Sequence, residues 1–372
     1  MNQWERKLFW CLCRFLDPCR EEIAQLLQKG AGTPAVLGHL LYNRMGGVAY
    51  HVLVQTGTAD CADREFRNTL RDTWLQGLEK NRSFVRCRDL VGEILEDAGV
   101  EYALLKGAYL CDVYPAGCRT ANDVDVLTEG RWVTPIGQAL TKAGFRQGYI
   151  RGGKFMPATR EKVIRAKMLR GETVPYILKV DLPYMQYLEV DLNFSLDYKN
   201  TADPALHAFV SGTRSYGTCR ILDSLHFMLH LCAHLYKEAT TYPWVQMGRD
   251  MSLYKFCDLY LLLYAYTLQD YALLAEKAKE YDLLFPCYYA LEATRTLLQI
   301  EDPMLLGCLA RICPSDLRIM DRVVDPSGGR DFLYSVSDLR RRFFAKDRRT
   351  LLKLDFYKGL EAGHHGAEAA SA

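Results

Sequence analysis

At 372 residues the chain is long enough for two or three domains with cores of their own, and with 49% hydrophobic and 25% charged residues it has the composition of a soluble globular protein. A formal net charge of +2 excludes a chain-wide polyanion binder, so any nucleic-acid surface has to be local. Thirteen scattered cysteines, an odd number without a CxxC, read as reduced and mostly buried thiols of a cytoplasmic protein, and no stretch reaches the roughly 18 apolar residues of a membrane helix.

Residues 1–99 read as helical. Apolar positions recur three and four apart, as in Leu75, Leu78, Phe84, Val85, Leu90, Val91, Ile94 and Leu95. Gly30-Ala31-Gly32-Thr33-Pro34 breaks this region, and Gly99 stops its last helix. Residues 100–220 form a β-rich core. Val100 to Leu105 reads as a strand, Lys106-Gly107 as a turn, and Ala108 to Tyr114 as a short helix ended by Pro115. A second strand runs from Val124 to Leu127. Thr134 then caps a helix that has Pro135 at its first position and stops at Gly144. The basic segment 146–186 reads either as a lid over a triphosphate or nucleic-acid acceptor or as a solvated hairpin and helix. Tyr187 to Phe194 alternates in polarity and reads as a later strand.

Residues 221–358 read as a helical domain, entered with Ser224 as a cap. Within it, 338–358 reads as one basic amphipathic helix, and 359–372 as a disordered tail of low complexity. His226, His230 and His234 share one helix face, but no cysteine or acid completes a zinc set, so a packed role is expected for them.

The chemistry concentrates in Asn122-Asp123-Val124-Asp125-Val126-Leu127. A strand puts Asp123 and Asp125 on one face, with Cα atoms roughly 6.6 Å apart. Carboxylates that close repel unless a cation lies between them, and two Mg²⁺ ions about 3.5–4 Å apart are the usual catalytic solution, in phosphoryl or nucleotidyl transfer. Asp191 lies in the later strand with Glu189 and Asn193 on its face, and strands pair at about 4.8 Å, close enough for three acids to converge. Arg119 either contacts phosphate or pairs with an acid at the site.

Lys106-Gly107, Tyr114-Pro115, Gly117-Cys118-Arg119, Asn122 to Leu127 and Leu188-Glu189-Val190-Asp191-Leu192 together resemble the signature of the uncharacterised bacterial nucleotidyltransferases, a branch of the DNA polymerase β-like superfamily. Asn81 upstream, and His234 and Asp258 downstream, extend the likeness over roughly residues 70–265. The resemblance implies an α+β fold, with a small mixed sheet and helices as the nucleotidyltransferase core between N- and C-terminal helical regions. It implies Asp123 and Asp125 as ligands of both metals, and Asp191 as a ligand of the catalytic metal that helps an acceptor hydroxyl lose its proton. Gly107 would let the backbone approach the triphosphate. Lys106-Gly107-Ala108 replaces the usual Gly-Ser or Gly-Gly, leaving Lys106 to supply a phosphate contact. The implied reaction is Mg²⁺-dependent transfer of a nucleoside monophosphate from an NTP, ATP by abundance, to a hydroxyl or phosphate of a small molecule, a peptide or protein, or RNA. The alternatives are a non-catalytic nucleotide-sensing or scaffolding protein on the same fold, or an RNA-binding module using the basic segments.

Overall fold

The computed structural model describes residues 1–29, 33–196, 204–326 and 330–355. The disordered tail expected at 359–372, and most of the break expected at 30–34, lie outside those residues.

Five helices open the chain: α1 (Gln3–Cys13), α2 (Arg20–Gln28), α3 (Thr33–Tyr42), α4 (Gly46–Gln55) and α5 (Arg64–Asp97). The long α5 spans two cores. Phe66 and Leu70 in its first half join the larger core, while Phe84, Cys87, Val91 and Leu95 in its second half lie against the sheet. The sheet region then follows as β1 (Ala103–Leu104), α6 (Gly107–Val113), β2 (Asp123–Leu127), α7 (Val133–Lys142), β3 (Arg146–Arg151), β4 (Lys154–Pro157), α8 (Arg160–Arg170), β5 (Tyr176–Leu182), β6 (Met185–Asn193), α9 (Pro204–Ser211), β7 (Thr213–Tyr216) and β8 (Cys219–Leu222). The strand order is β4-β3-β5-β6-β2-β1-β8-β7. This mixed eight-stranded sheet is larger than the small sheet expected, because the hairpins at 146–157 and 213–222 extend it at both edges.

The segment 146–186 takes the hairpin-and-helix form, and none of its described residues lines the main cleft. The helix expected from Thr134 begins one residue earlier, at Val133, because the chain enters it directly from a 3₁₀ turn that ends at Trp132.

The remaining helices are α10 (Ser224–Ala239), α11 (Tyr242–Gln246), α12 (Leu253–Leu263), α13 (Leu268–Glu280), α14 (Leu284–Leu298), α15 (Pro303–Ile312) and α16 (Leu339–Phe343). Asp223, not Ser224, caps α10, its side chain accepting from the His226 amide. Buried residues of α1–α4, of α10 and of α12–α16 form one continuous core, so the helices from the two ends of the chain pack into one body beside the sheet, while Val245 of α11 packs with Val323 and Tyr334 of the C-terminal sheet.

The C-terminal part is not uniformly helical. A three-stranded sheet, β9 (Arg322–Asp325), β10 (Arg330–Tyr334) and β11 (Leu352–Leu354), sits there in the order β11-β10-β9. The single basic helix expected over 338–358 is instead α16, a 3₁₀ turn at Arg348–Leu351 and β11, with 356–358 outside the described residues. Asp338 and Asp347 each accept a backbone hydrogen bond at the start of a new element, which divides the run. The arginines are also drawn inward: Arg342 is 1% exposed and bonds Asp321 and the Val336 and Met320 carbonyls, while Arg348 pairs with Asp250. No helix among the described residues is long and apolar enough to cross a membrane. All thirteen cysteines are free thiols, and most are buried.

Candidate active site

The site begins with alternation on two parallel strands. Val124 and Val126 of β2, and Leu188, Val190 and Leu192 of β6, point into the core beneath the sheet, and all five are fully buried. Burying side chains of this size stabilises the fold by about 1.5–3 kcal/mol each, which fixes the face that each strand presents. The acids between them must then emerge on the opposite face. The register does the rest: Asp125 lies opposite Asp191, and Asp123 opposite Glu189. One oxygen from each of Asp123, Asp125 and Asp191 comes within 4.8 Å of the others, the only such set able to hold a metal among the described residues. Asp125 is buried, while Asp123 and Asp191 are half-buried.

The charge of this cluster is poorly compensated. Burial raises the Asp125 carboxyl above its ordinary range, with Asp123 adding and Lys106 opposing. Asp191 is pushed well above that range, first by burial and then by Asp125, Glu189 and Asp123. Glu189 rises for the same reasons. Lys106 Nζ lies 2.9 Å from Asp125, while Arg119 acts on Asp125 and Lys80 on Asp123 from farther away. Three hard oxygen donors on two rigid strands, short of positive charge, fit a hard divalent cation of the Mg²⁺ type.

The raised carboxyls have a pH consequence. The folded protein holds protons that the unfolded chain has released, so the metal-free fold loses stability as pH rises from the ordinary carboxylate value of 3.8 through the raised folded values. A divalent cation held by these carboxylates would displace those protons, so its stabilising effect would grow with pH. Melting curves with chelator and with metal between about pH 4 and 8 test this; Asp191→Asn should flatten the difference. An effect of metal that shrinks with rising pH would contradict it.

Lys106 occupies the turn between β1 and α6 with φ at 45°, a conformation rare for a residue with a side chain. The positive φ of this turn falls on the lysine and not on Gly107. Gly107 has another constraint: a Cβ there would lie 2.5 Å from the Ala121 Cβ. The glycine thus lets α6 sit against the segment leading into β2. Gly107→Ala is expected to destabilise the fold by about 1–3 kcal/mol through overpacking, and Ala121→Gly in the same chain should restore part of the loss. Urea unfolding of the single and double variants checks this; an additive pair would disprove the contact.

Arg119 and Asp258 form a buried pair. Arg119 Nε donates to Asp258 Oδ1 at 2.9 Å and Nη2 to Oδ2 at 3.0 Å, while Nη1 donates to the Thr120 carbonyl at 2.6 Å. The guanidinium lies 4.6 Å from the centre of the Tyr254 ring. Of the two roles open to Arg119 in the sequence, the structure displays pairing with an acid, at the wall of the cleft. The Asn81 side-chain oxygen is buried with no hydrogen-bond partner.

The cleft lined by Asp123 and Asp125, but not by Asp191, has a volume of about 380 Å³ and lies between the sheet, the α10–α12 helices and the turn after α3. Lys106, Gly107, Asp123 and Asp125 line one side, and Arg44, Arg249, Tyr254 and Lys255 the other. Lys255 pairs with Glu238, which His234 Nε2 approaches at 3.3 Å. Burial, with Lys106 and Lys237 adding, pushes His230 down to about 3, and the ring stacks on His234 at 6.1 Å. These are neutral packed imidazoles, as the helix face suggested. His226 instead bonds Asp223. Arg44, Arg249 and Lys255 do not stand out as site residues in the sequence. Lys255 carries one signal, since it precedes Asp258 by three and so shares its helix face. Arg44 and Arg249 carry none.

The fold is α+β, and its mixed sheet brings together three carboxylates that could hold a metal, two of them, Asp123 and Asp125, in the lining of a cleft shared with Arg44, Lys106, Arg249 and Lys255. The chain belongs to the family described as uncharacterised nucleotidyltransferase, whose model matches residues 35–299, over two-thirds of its length. That membership gives nucleotidyl transfer in general as the activity and a nucleotide as a substrate. No curated protein and no solved structure matches the chain.

Proposed function

We propose that the protein is a Mg²⁺-dependent nucleotidyltransferase with a polymerase β-like core. It moves a nucleoside monophosphate from an NTP, with ATP as the default donor, to a hydroxyl or phosphate acceptor. The convergence of Asp123, Asp125 and Asp191 on one face of two parallel strands carries this reading.

The acceptor oxygen attacks the α-phosphorus, the bond from that phosphorus to the β-bridging oxygen breaks, and pyrophosphate leaves. Asp123, Asp125 and Asp191 would hold the metal, which when bound offsets negative charge on the phosphates. Asp191, opposite Asp125 on the paired strand, would also receive the proton of an acceptor hydroxyl. Lys106, now on Asp125, is placed to turn toward phosphate once a metal satisfies that acid. Arg44 and Arg249, across the cleft, present guanidinium groups suited to phosphate oxygens. Arg119 acts through Asp258 and Tyr254 in shaping the cleft wall.

The test is incubation with α-labelled ATP, Mg²⁺ and panels of small hydroxylated molecules, peptides and RNA. Label entering an acceptor with an equal yield of pyrophosphate supports the reading. ATP binding without transfer to any acceptor class would favour the nucleotide-sensing alternative, and release of ADP and phosphate would replace the reaction with hydrolysis.

A further inference from the structure

The turn that carries Arg249 into the cleft is anchored from outside the family-matched region. Asp250, the next residue, has a fully buried side chain. Arg348 grips it with both ends of its guanidinium: Nε lies 2.7 Å from Oδ2 and Nη2 lies 2.6 Å from Oδ1. The Tyr334 hydroxyl donates to Asp250 Oδ2 at 3.1 Å. On the other side of Arg249, the Gly248 carbonyl accepts from Arg348 Nη2 at 3.0 Å and from the Tyr42 hydroxyl at 2.7 Å. Gly248 has φ at 66°, and a Cβ there would lie 2.9 Å from the Tyr42 hydroxyl.

The backbone on both sides of Arg249 is therefore held, while its side chain remains exposed over the Tyr42 ring at 5.8 Å. A carboxylate buried as deeply as Asp250 needs its counter-ion. Only an arginine fork can grip it bidentately while donating to the neighbouring carbonyl. Arg348 lies beyond the matched residues 35–299, in the 3₁₀ turn that leads into the three-stranded C-terminal sheet.

We infer that Arg348 is a positioning residue for nucleotide binding: through Asp250 and the Gly248 carbonyl it fixes the turn that aims Arg249 at the polyphosphate. The C-terminal sheet is thus part of the binding machinery. This inference rests on the nucleotidyltransferase reading of the cleft.

The test is a thermodynamic cycle on MgATP affinity of the full chain, with Arg249→Gln, Arg348→Lys and the double variant. Arg348→Lys keeps the charge on Asp250 and removes the fork. Each single variant is expected to weaken ATP binding about tenfold, the effect of losing one charge-assisted contact. The double variant is expected to be no weaker than Arg249→Gln alone, because Arg348 acts through Arg249. Additive losses, or unchanged affinity in Arg348→Lys, would overturn the positioning role. If Arg348→Lys does not fold, Asp250→Asn/Arg348→Gln, neutral but still hydrogen-bonding, takes its place in the cycle: non-additive losses again support positioning, and additive losses or unchanged affinity again overturn it. A wild-type protein that binds no MgATP would sink the functional reading itself and this inference with it; wild-type binding with an additive cycle would sink the inference alone.

Discussion

Asp125→Asn is expected to abolish nucleotidyl transfer while leaving the fold in place. The loss should be at least about a hundredfold, since even partners one shell removed from a metal are worth 10–100-fold. Asp125 sits at the centre of the cluster: it opposes Asp191 across the strand pair, lies two residues from Asp123 and touches Lys106. The amide keeps the volume and loses the charge. In the metal-free protein that loss relieves repulsion on Asp123 and Asp191, and the Lys106 ammonium still has those two carboxylates nearby. The melting temperature without metal should therefore hold or rise, and the increase produced by Mg²⁺ or Mn²⁺ in the wild type should disappear. Turnover, circular dichroism and melting curves with and without metal, taken together, decide the matter. A folded Asp125→Asn protein that still transfers would defeat the site assignment.

What can be read along the chain, and what cannot, divides by the range of the interaction. Alternation of Val124, Val126, Val190 and Leu192 with the acids is local, and it is enough to assign a face to Asp123, Asp125 and Asp191 and to expect their meeting. The register that sets Asp125 opposite Asp191 is a long-range pairing that only the assembled sheet displays. Capping is legible to within one residue at Ser224, where Asp223 takes the role, and to within two at Thr134, where the helix is entered from Trp132 with no side-chain cap. The 338–358 run misleads for a different reason. Its basic residues look solvated in sequence, yet Arg342 and Arg348 are buried against Asp321 and Asp250, up to 98 residues away. Periodicity has no access to such partners. The same limit hides Arg44 and Arg249, which meet at the cleft only because the N- and C-terminal helices share a core.

Arg119→Met is expected to act on stability before it acts on chemistry. Arg119 and Asp258 lie 139 residues apart and are both nearly inaccessible, with the fork closed on the carboxylate and stacked on Tyr254. Removing the guanidinium strands Asp258 as an uncompensated buried charge, a change of about 3–5 kcal/mol. Arg119→Lys retains the charge but not the two parallel bonds, so it should recover only part of that loss. Replacing both members, as in Arg119→Met/Asp258→Leu, removes the stranded charge, and the double variant should be more stable than Arg119→Met alone. Denaturant unfolding of the three variants measures these differences. ATP affinity at a temperature where each remains folded separates the two roles that the sequence leaves open. A guanidinium spent on Asp258 and the Thr120 carbonyl has little left to offer a phosphate, so affinity should fall only as far as the cleft wall is disturbed. If Arg119→Met instead unfolds like the wild type yet binds ATP much more weakly, the arginine must release Asp258 when nucleotide arrives, and it would join Arg249 as a direct phosphate contact.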